Sequence, residues 1–282
     1  MNANKMTFGI EIETVAPDAL LDKGLWIGDH HCGAQVPYLW NGWKAEHDGS
    51  IRTRGDGHAC EIVSPVLRGA KGLARVAEVV QALKEEGHRV NSSCSVHVHV
   101  GWKRNWPAKA LARLVTIVSH CERGLYAITG SKRRERSTYC DGIREYGSVR
   151  RAKPAMDCYR NHALNLVGLT RGIRETVEFR MFSGSLSATK ICGWIQVCLG
   201  LVERAINGKR SPTWTPKPLK GRRKKAGEGA SETERLIGYL AWGAGYARIH
   251  GGHQYGWISD VIPQDEVKSQ FRRLAAKYDS QM

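Results

Sequence analysis

No CxxC pair, no GxxxxGK[ST] phosphate loop, no internal repeat and no run of about 18 apolar residues occurs in the sequence. Each absence removes a class of protein. Eight cysteines without close pairs do not build a zinc ribbon or a redox dithiol, and they read as buried thiols of a reducing compartment. The missing apolar run leaves no membrane helix to expect. The opening MNANKMTFGIEIE lacks the charged, apolar and small-residue regions of a signal peptide, so the expectation is a cytoplasmic protein without membrane attachment. Any nucleotide would have to be held by something other than a glycine-rich phosphate loop.

What is present is a chain of 282 residues with 41% hydrophobic content, enough for a substantial core. Its net charge is +16, but the charge is concentrated. Residues 209–225 hold eight Lys/Arg and no acid, residues 131–153 hold eight Lys/Arg against three acids, and the rest is close to neutral. Two basic loops on a near-neutral body suit phosphorylated small molecules, an acidic polymer or solubility alone. Trp214, inside the second basic stretch, hints at stacking on a base or partner.

Periodicity marks the elements. MTFGIEIETV alternates strictly, with Ile10 and Ile12 on one face and Glu11 and Glu13 on the other, the pattern of a half-buried strand. A turn at Asp48-Gly49-Ser50 and a glycine-rich region at Gly55–Gly57 precede a strand through Cys60–Val63 that stops at Pro65. The spacing of Leu73, Val76, Val79, Val80 and Leu83 predicts an amphipathic helix ending at Gly87. Pro107 opens a second helix with Leu111, Leu114, Val115 and Val118 inward. ALNLVGL and RETVEFRMFSG read as strands, and residues 188–206 as a helix.

Three strands share a peculiarity. In GIEIE, SVHVHVG and TVEFRMF one face is apolar while the other carries only Glu, His and Arg. A solvent-washed face mixes in Thr, Ser, Lys and Gln. If these strands are neighbours in one antiparallel sheet, Glu11, Glu13, His97, His99, Glu178 and Arg180 converge, with Glu61 joining from a fourth strand. Carboxylates gathered at one point repel unless cations hold them. Glutamate oxygens with a single imidazole suit Mg²⁺ or Mn²⁺, whereas zinc prefers His and Cys. Magnesium on carboxylates keeps positions open for substrate phosphates, and Arg180 beside it would grip a transferring phosphoryl group. Plainer readings stand beside these: a hydrogen-bonded histidine pair, a wet face for Glu11 and Glu13, an Arg180–Glu178 salt bridge, and Asp48 as a turn residue. Arg160 and Asn165 either orient substrate or phosphate, or satisfy backbone groups.

FGIEIE, DGS followed by CEIVSPVL, CSVHVHVG, NHALNL and TVEFRMFSGSL stand in the order and spacing of the amidoligase family, which the chain resembles over roughly residues 6–207. These are carboxylate–amine ligases related to glutamine synthetase and glutamate–cysteine ligase. The resemblance implies an α+β fold, a glutamine-synthetase-like curved, mainly antiparallel β-sheet with helices packed on its outer face. It implies ATP and two Mg²⁺ (or Mn²⁺) ions, phosphorylation of a carboxylate to an acyl phosphate, and attack by an amine to give an amide or peptide-like bond. Glu11 and Glu13 look like paired ligands of neighbouring metal sites, Glu61 like a further ligand of the first, and His97 and Glu178 like ligands of the second. Glu178 and Arg180 are the implied catalytic residues, His99, Arg160 and Asn165 the cofactor-binding ones, and Asp48 and Arg52 the substrate candidates. Ser95 stands where the family usually has glycine.

The expected organisation is a catalytic core over residues 1–207, a basic Pro/Gly-rich loop or linker over 208–230, and a C-terminal helical extension over 231–282. Ser231 with Glu234 forms a capping box in that extension, and Pro263 begins a last helix to about Tyr278. The expected partners are a small-molecule, peptide or protein carboxylate and an amine, with nucleic acid less favoured. An open sheet edge leaves room for self-association. Two rivals are a metal-dependent nucleic-acid-processing enzyme, which would cleave phosphodiesters without forming ADP, and a non-catalytic binding module, which would survive loss of Glu178.

Overall fold

Alternating side chains build the centre of the molecule. Along β1 (Thr7–Ala16) Phe8, Ile10 and Ile12 are buried on one side while Glu11 and Glu13 face the other, and β6 (Ser95–Gly101) repeats this with Val96, Val98 and Val100 against His97 and His99. The computed structural model describes residues 3–29, 31–53, 55, 57–107, 109–143, 157–208 and 264–281. The remaining strands are β2 (Ala34–Gln35), β3 (Lys44–Glu46), β4 (His58–Val63), β5 (Leu67–Arg68), β7 (Leu164–Asn165) and β8 (Thr176–Ser183). They form one sheet in the order β2-β3-β4-β1-β6-β8-β7, with β5 also paired to β1, and these strand pairings are all antiparallel.

Among the described residues four long helices cover the apolar face: α1 (Gly69–Glu85), α2 (Lys109–Ala127), α3 (Ala188–Asn207) and α4 (Gln264–Asp279). α3 lies against β6, and the other three pack around it. Its Trp194 ring stacks on Phe182 of β8, with centroids 4.9 Å apart and planes at 11°, while the indole N–H donates to Ile128 O at 3.1 Å. Burying side chains such as Phe8, Ile10 and Ile12 contributes about 1.5–3 kcal/mol each, so the sheet is held from this side. Its other face is free to carry charge. Among the described residues no helix is long and apolar enough to cross a membrane.

Helix α1 stops as its sequence predicts. Gly87 takes a positive φ of 82°, its N–H reaches Lys84 O and that of His88 reaches Leu83 O, the two bonds of a Schellman motif. The chain then returns to β1 through reciprocal Val15–Arg89 bonds. In the ALNLVGL segment the expected strand is confined to Leu164–Asn165. There the Asn165 side-chain oxygen accepts the Val167 N–H at 2.9 Å and starts the helical turn Val167–Thr170, which ends pairing. The short strands β2, β3 and β5 carry too few residues for alternation to reveal them. The linker beyond residue 208, the capping box at Ser231 and Glu234, and the basic stretch from 144 to 153 lie outside the described residues.

Candidate active site

Strand register gathers the polar face into three rows. β1 sets Glu13 opposite Glu61 of β4, and β3 adds Glu46 opposite the same residue. β6 sets His97 opposite Glu11. His99 faces Glu178 of β8, which in turn faces Asn165 of β7. Six adjacent strands thus contribute to one cluster. A β-bulge completes it: Val98 pairs with Phe179 but Val96 pairs with Phe182, so Arg180 and Met181 together oppose His97.

Contacts within the cluster are close and mostly buried. The His97 ring places Nδ1 3.0 Å from Glu11 Oε2 and 3.7 Å from Glu178 Oε1, with Nε2 3.5 Å from Glu13 Oε1. His99 Nε2 lies 3.0 Å from the other Glu11 oxygen, off the line of a hydrogen bond, and this buried nitrogen has no aligned partner among the described residues. Arg180 donates to Glu178 Oε1, and Asn165 donates to Oε2 at 2.7 Å. The Ser95 backbone N–H donates to Glu13 Oε2 at 2.7 Å, and its hydroxyl lies between Glu13 and His97. Arg174 reaches Glu11 from the rim at 3.7 Å.

Electrostatics divides the carboxylates. Burial opposes ionisation of Glu11, yet His99 and His97 outweigh it and hold the carboxyl well below its ordinary value. Glu178 is likewise buried and likewise held low, by His99, Arg180 and His97. The same carboxylates, acting against burial, raise His99. At Glu61 no cation among the described residues offsets burial. Burial first, and then Glu11, Glu13, Asp48 and Glu46, push it up to about 10. This excess of negative charge is where a divalent cation fits. Two groups of ligand atoms lie within 4.8 Å of one another, Glu11–His97–Glu178 and Glu13–Glu61–His97, with His97 common to both. The donor set is mostly carboxylate oxygen, which suits Mg²⁺ or Mn²⁺.

Two cavities flank the cluster. The smaller, about 400 Å³, is lined by His99 together with Phe8, Gly9, Trp102 and Trp106. A larger cleft of about 1370 Å³ opens on the other side, beside Glu13, His97 and Arg180. Asp48 and Arg52, expected near substrate, both line this cleft, and Asp48 also accepts the Ser50 N–H as the turn reading required. His99 and Arg160, expected together, line different cavities, while Asn165 is bonded to Glu178. The alternative pairing of Arg180 with Glu178 is realised.

Residues the sequence did not announce also take part. Glu46 completes the carboxylate row from a three-residue strand and accepts the His31 N–H at 2.8 Å. Gly33 lies so close that a Cβ would stand 2.5 Å from the Glu46 side chain, so only glycine lets this loop close over it. Buried Arg134 lines the larger cleft, hidden in the sequence by the charge run around it.

Comparison with known proteins places this geometry. A family model described as "Putative amidoligase enzyme" matches residues 4–202. Among solved structures, a chain of the complex between Prokaryotic Ubiquitin-like Protein Pup and its ligase PafA is similar with a TM-score of 0.50 at 11% identity, covering 99% of this chain and 65% of that one. A bifunctional glutathione synthetase from Pasteurella multocida has a TM-score of 0.45 at 11% identity, covering 98% of this chain and 47% of that one. The chain therefore spans less than two thirds of the length of either. No curated protein matches it. The likeness to the Pup–PafA complex supports the expected α+β, glutamine-synthetase-like fold. The family match, which covers well over half of the sequence, shows that the chain belongs to the amidoligase family.

Proposed function

We propose that this amidoligase is an ATP-dependent carboxylate–amine ligase with two Mg²⁺ or Mn²⁺ sites. One observation carries the reading: a buried carboxylate–histidine cluster with Arg180 bonded inside it stands between a small aromatic-lined cavity and a large polar cleft. Glu11, Glu178 and His97, through Nδ1, would hold one ion, and Glu13 with Glu61 the other, because a neutral imidazole has one lone pair to give. When bound, such ions neutralise phosphate oxygens and so favour phosphoryl transfer.

The protein's own groups supply orientation and charge. His99 lines the small cavity while its Nε2 stays 3.0 Å from Glu11, a cationic edge suited to the phosphates of ATP, whose base would rest against Trp102 and Trp106. Arg180, fixed by Glu178 and by the Tyr139 carbonyl, stands at the mouth of the cleft where the phosphoryl group crosses. The carboxylate oxygen takes the γ-phosphoryl group and ADP leaves. The amine then attacks the acyl carbon, phosphate departs and the amide remains. Asp48 is the lining acid that belongs to neither ligand group, and it would take the proton the amine sheds.

The test is ADP and phosphate release with Mg²⁺ across a panel of carboxylates and amines, comparing wild type with Glu178→Gln and Arg180→Ala. Turnover that needs both substrates, and falls in both variants, is expected. Phosphodiester cleavage without ADP, or no stimulation by any pair, would overturn the reading.

A further inference from the structure

We infer that the carboxylate substrate is an acidic peptide, held by the cationic wall of the larger cleft; this rests on the ligase reading for which group reacts. Size is the first argument. At about 1370 Å³ the cleft exceeds the roughly 300–1,000 Å³ typical of small-molecule sites and has room for an extended chain.

Charge is the second. Beyond Arg180, the lining includes Arg52, Lys132, Arg133, Arg134, Arg136 and Arg160. Its acids are Asp48 and Glu13, and Glu13 belongs to the cluster. Arg52, Arg133, Arg136 and Arg160 are exposed, and no carboxylate among the described residues pairs with them. Their charge is available to a ligand.

Arg134 gives the third and most specific argument. Only 7% of its surface is exposed; it donates to the Arg180 carbonyl, while its Nε–H is buried without a partner among the described residues. A buried guanidinium edge left unmatched is costly, and a carboxylate entering the cleft would complete it in a charge-assisted bond. Because Arg134 holds the backbone of Arg180, an anion bound there sits next to the residue that meets the transferred phosphoryl group.

The neutral lining decides between anions. Ser92 and Thr138 offer side-chain hydrogen bonds of the kind a peptide main chain uses, while Asn91 and Ser93 are engaged with each other and with Arg52, and among the described lining residues Tyr139 is the lone aromatic ring other than His97. Binders of single-stranded nucleic acid add stacking platforms to their cations, and this wall has little to stack on.

The test measures binding without ATP, using the full chain and a fluorescein-labelled oligoglutamate, with oligoglutamine of equal length as control. Fluorescence anisotropy should show saturable binding of oligoglutamate and none of oligoglutamine, weakened by salt. Arg133→Glu combined with Arg136→Glu should loosen it at least about tenfold, and Arg160→Glu on a separate segment should act in the same direction. These side chains are exposed, so the variants should keep the wild-type melting curve. Oligoglutamate bound no better than oligoglutamine, or displaced more readily by oligothymidylate or inorganic polyphosphate at equal charge, would overturn the inference. Amide formation on another carboxylate with no oligoglutamate binding would sink this inference and leave the ligase. Cleft-dependent peptide binding with no ATP turnover would sink the ligase and leave the cleft's preference.

Discussion

The Asn165 side-chain amide donates to Glu178 Oε2 at 2.7 Å, and so decides which oxygen of that carboxylate remains for Arg180 and His97. The same Asn165 oxygen is fixed by the Val167 N–H, which leaves the amide one orientation.

Loss of this support should be felt at the ion. Groups that orient a metal ligand typically matter about 10–100-fold in affinity. Asn165→Ala should therefore weaken Mn²⁺ binding by about that factor, measured by calorimetry, and should also lower the melting temperature of the metal-free protein, because the Val167 N–H and Glu178 both lose a partner.

Glu61 and His97 should separate in a metal titration. Glu61→Gln replaces a carboxyl that burial and four acidic neighbours already keep protonated, so the metal-free protein should melt no lower than wild type. Its Mn²⁺-induced stabilisation should shrink, since one ion at about a hundred times its Kd contributes about 2.7 kcal/mol. His97→Ala should also shrink the shift, but it strips Glu11 and Glu178 of a buried partner and so should lower the melting temperature of the metal-free protein as well.

His88 should make stability depend on pH. Thr14 donates its hydroxyl to the Cys60 carbonyl at 3.1 Å, so it accepts from His88 Nδ1 at 2.9 Å, and Nε2 accepts the Tyr38 hydroxyl at 2.6 Å. The ring is thereby neutral, and burial pulls it down to about 4 from an ordinary value of 6.5. Between these values the unfolded chain binds a proton that the folded one does not. Stability should fall as pH drops from about 6.5 to about 4, by about 3 kcal/mol in all. Urea midpoints across this range should show that slope, and His88→Gln should flatten it.

Trp194→Ala should cost about 3–5 kcal/mol, because it empties a fully buried site, ends the stacking on Phe182 and orphans the Ile128 carbonyl. Denaturant unfolding would check it.

Much of the sheet was legible because β1, β6 and β8 each pair an apolar face with one whose central positions are Glu, His and Arg. Such restriction implies that something other than water meets that face. Glu46 escaped notice since β3 is too short for a period, and Arg134 because a charge run looks alike whether it is solvated or turned inward. The separation of His99 from Arg160 depends on which side of the cluster each loop reaches, which spacing along the chain does not encode. Asn165 was placed near the site, but its partner was fixed by strand pairing alone.

The bulge in β8 lets one strand answer two demands that strict alternation would set against each other. Counting by twos from Val177 and Phe179 puts Phe182 on the side of Glu178 and Arg180, yet its ring lies against Trp194 in the core. The additional residue resets the phase of the strand halfway along. Deleting either Arg180 or Met181 would therefore leave Phe182 two residues after Phe179, on the same core face, and would turn the bulge into regular strand with a single residue opposite His97. What such a deletion would take away is the second residue opposite His97, and not the place of Phe182 against Trp194.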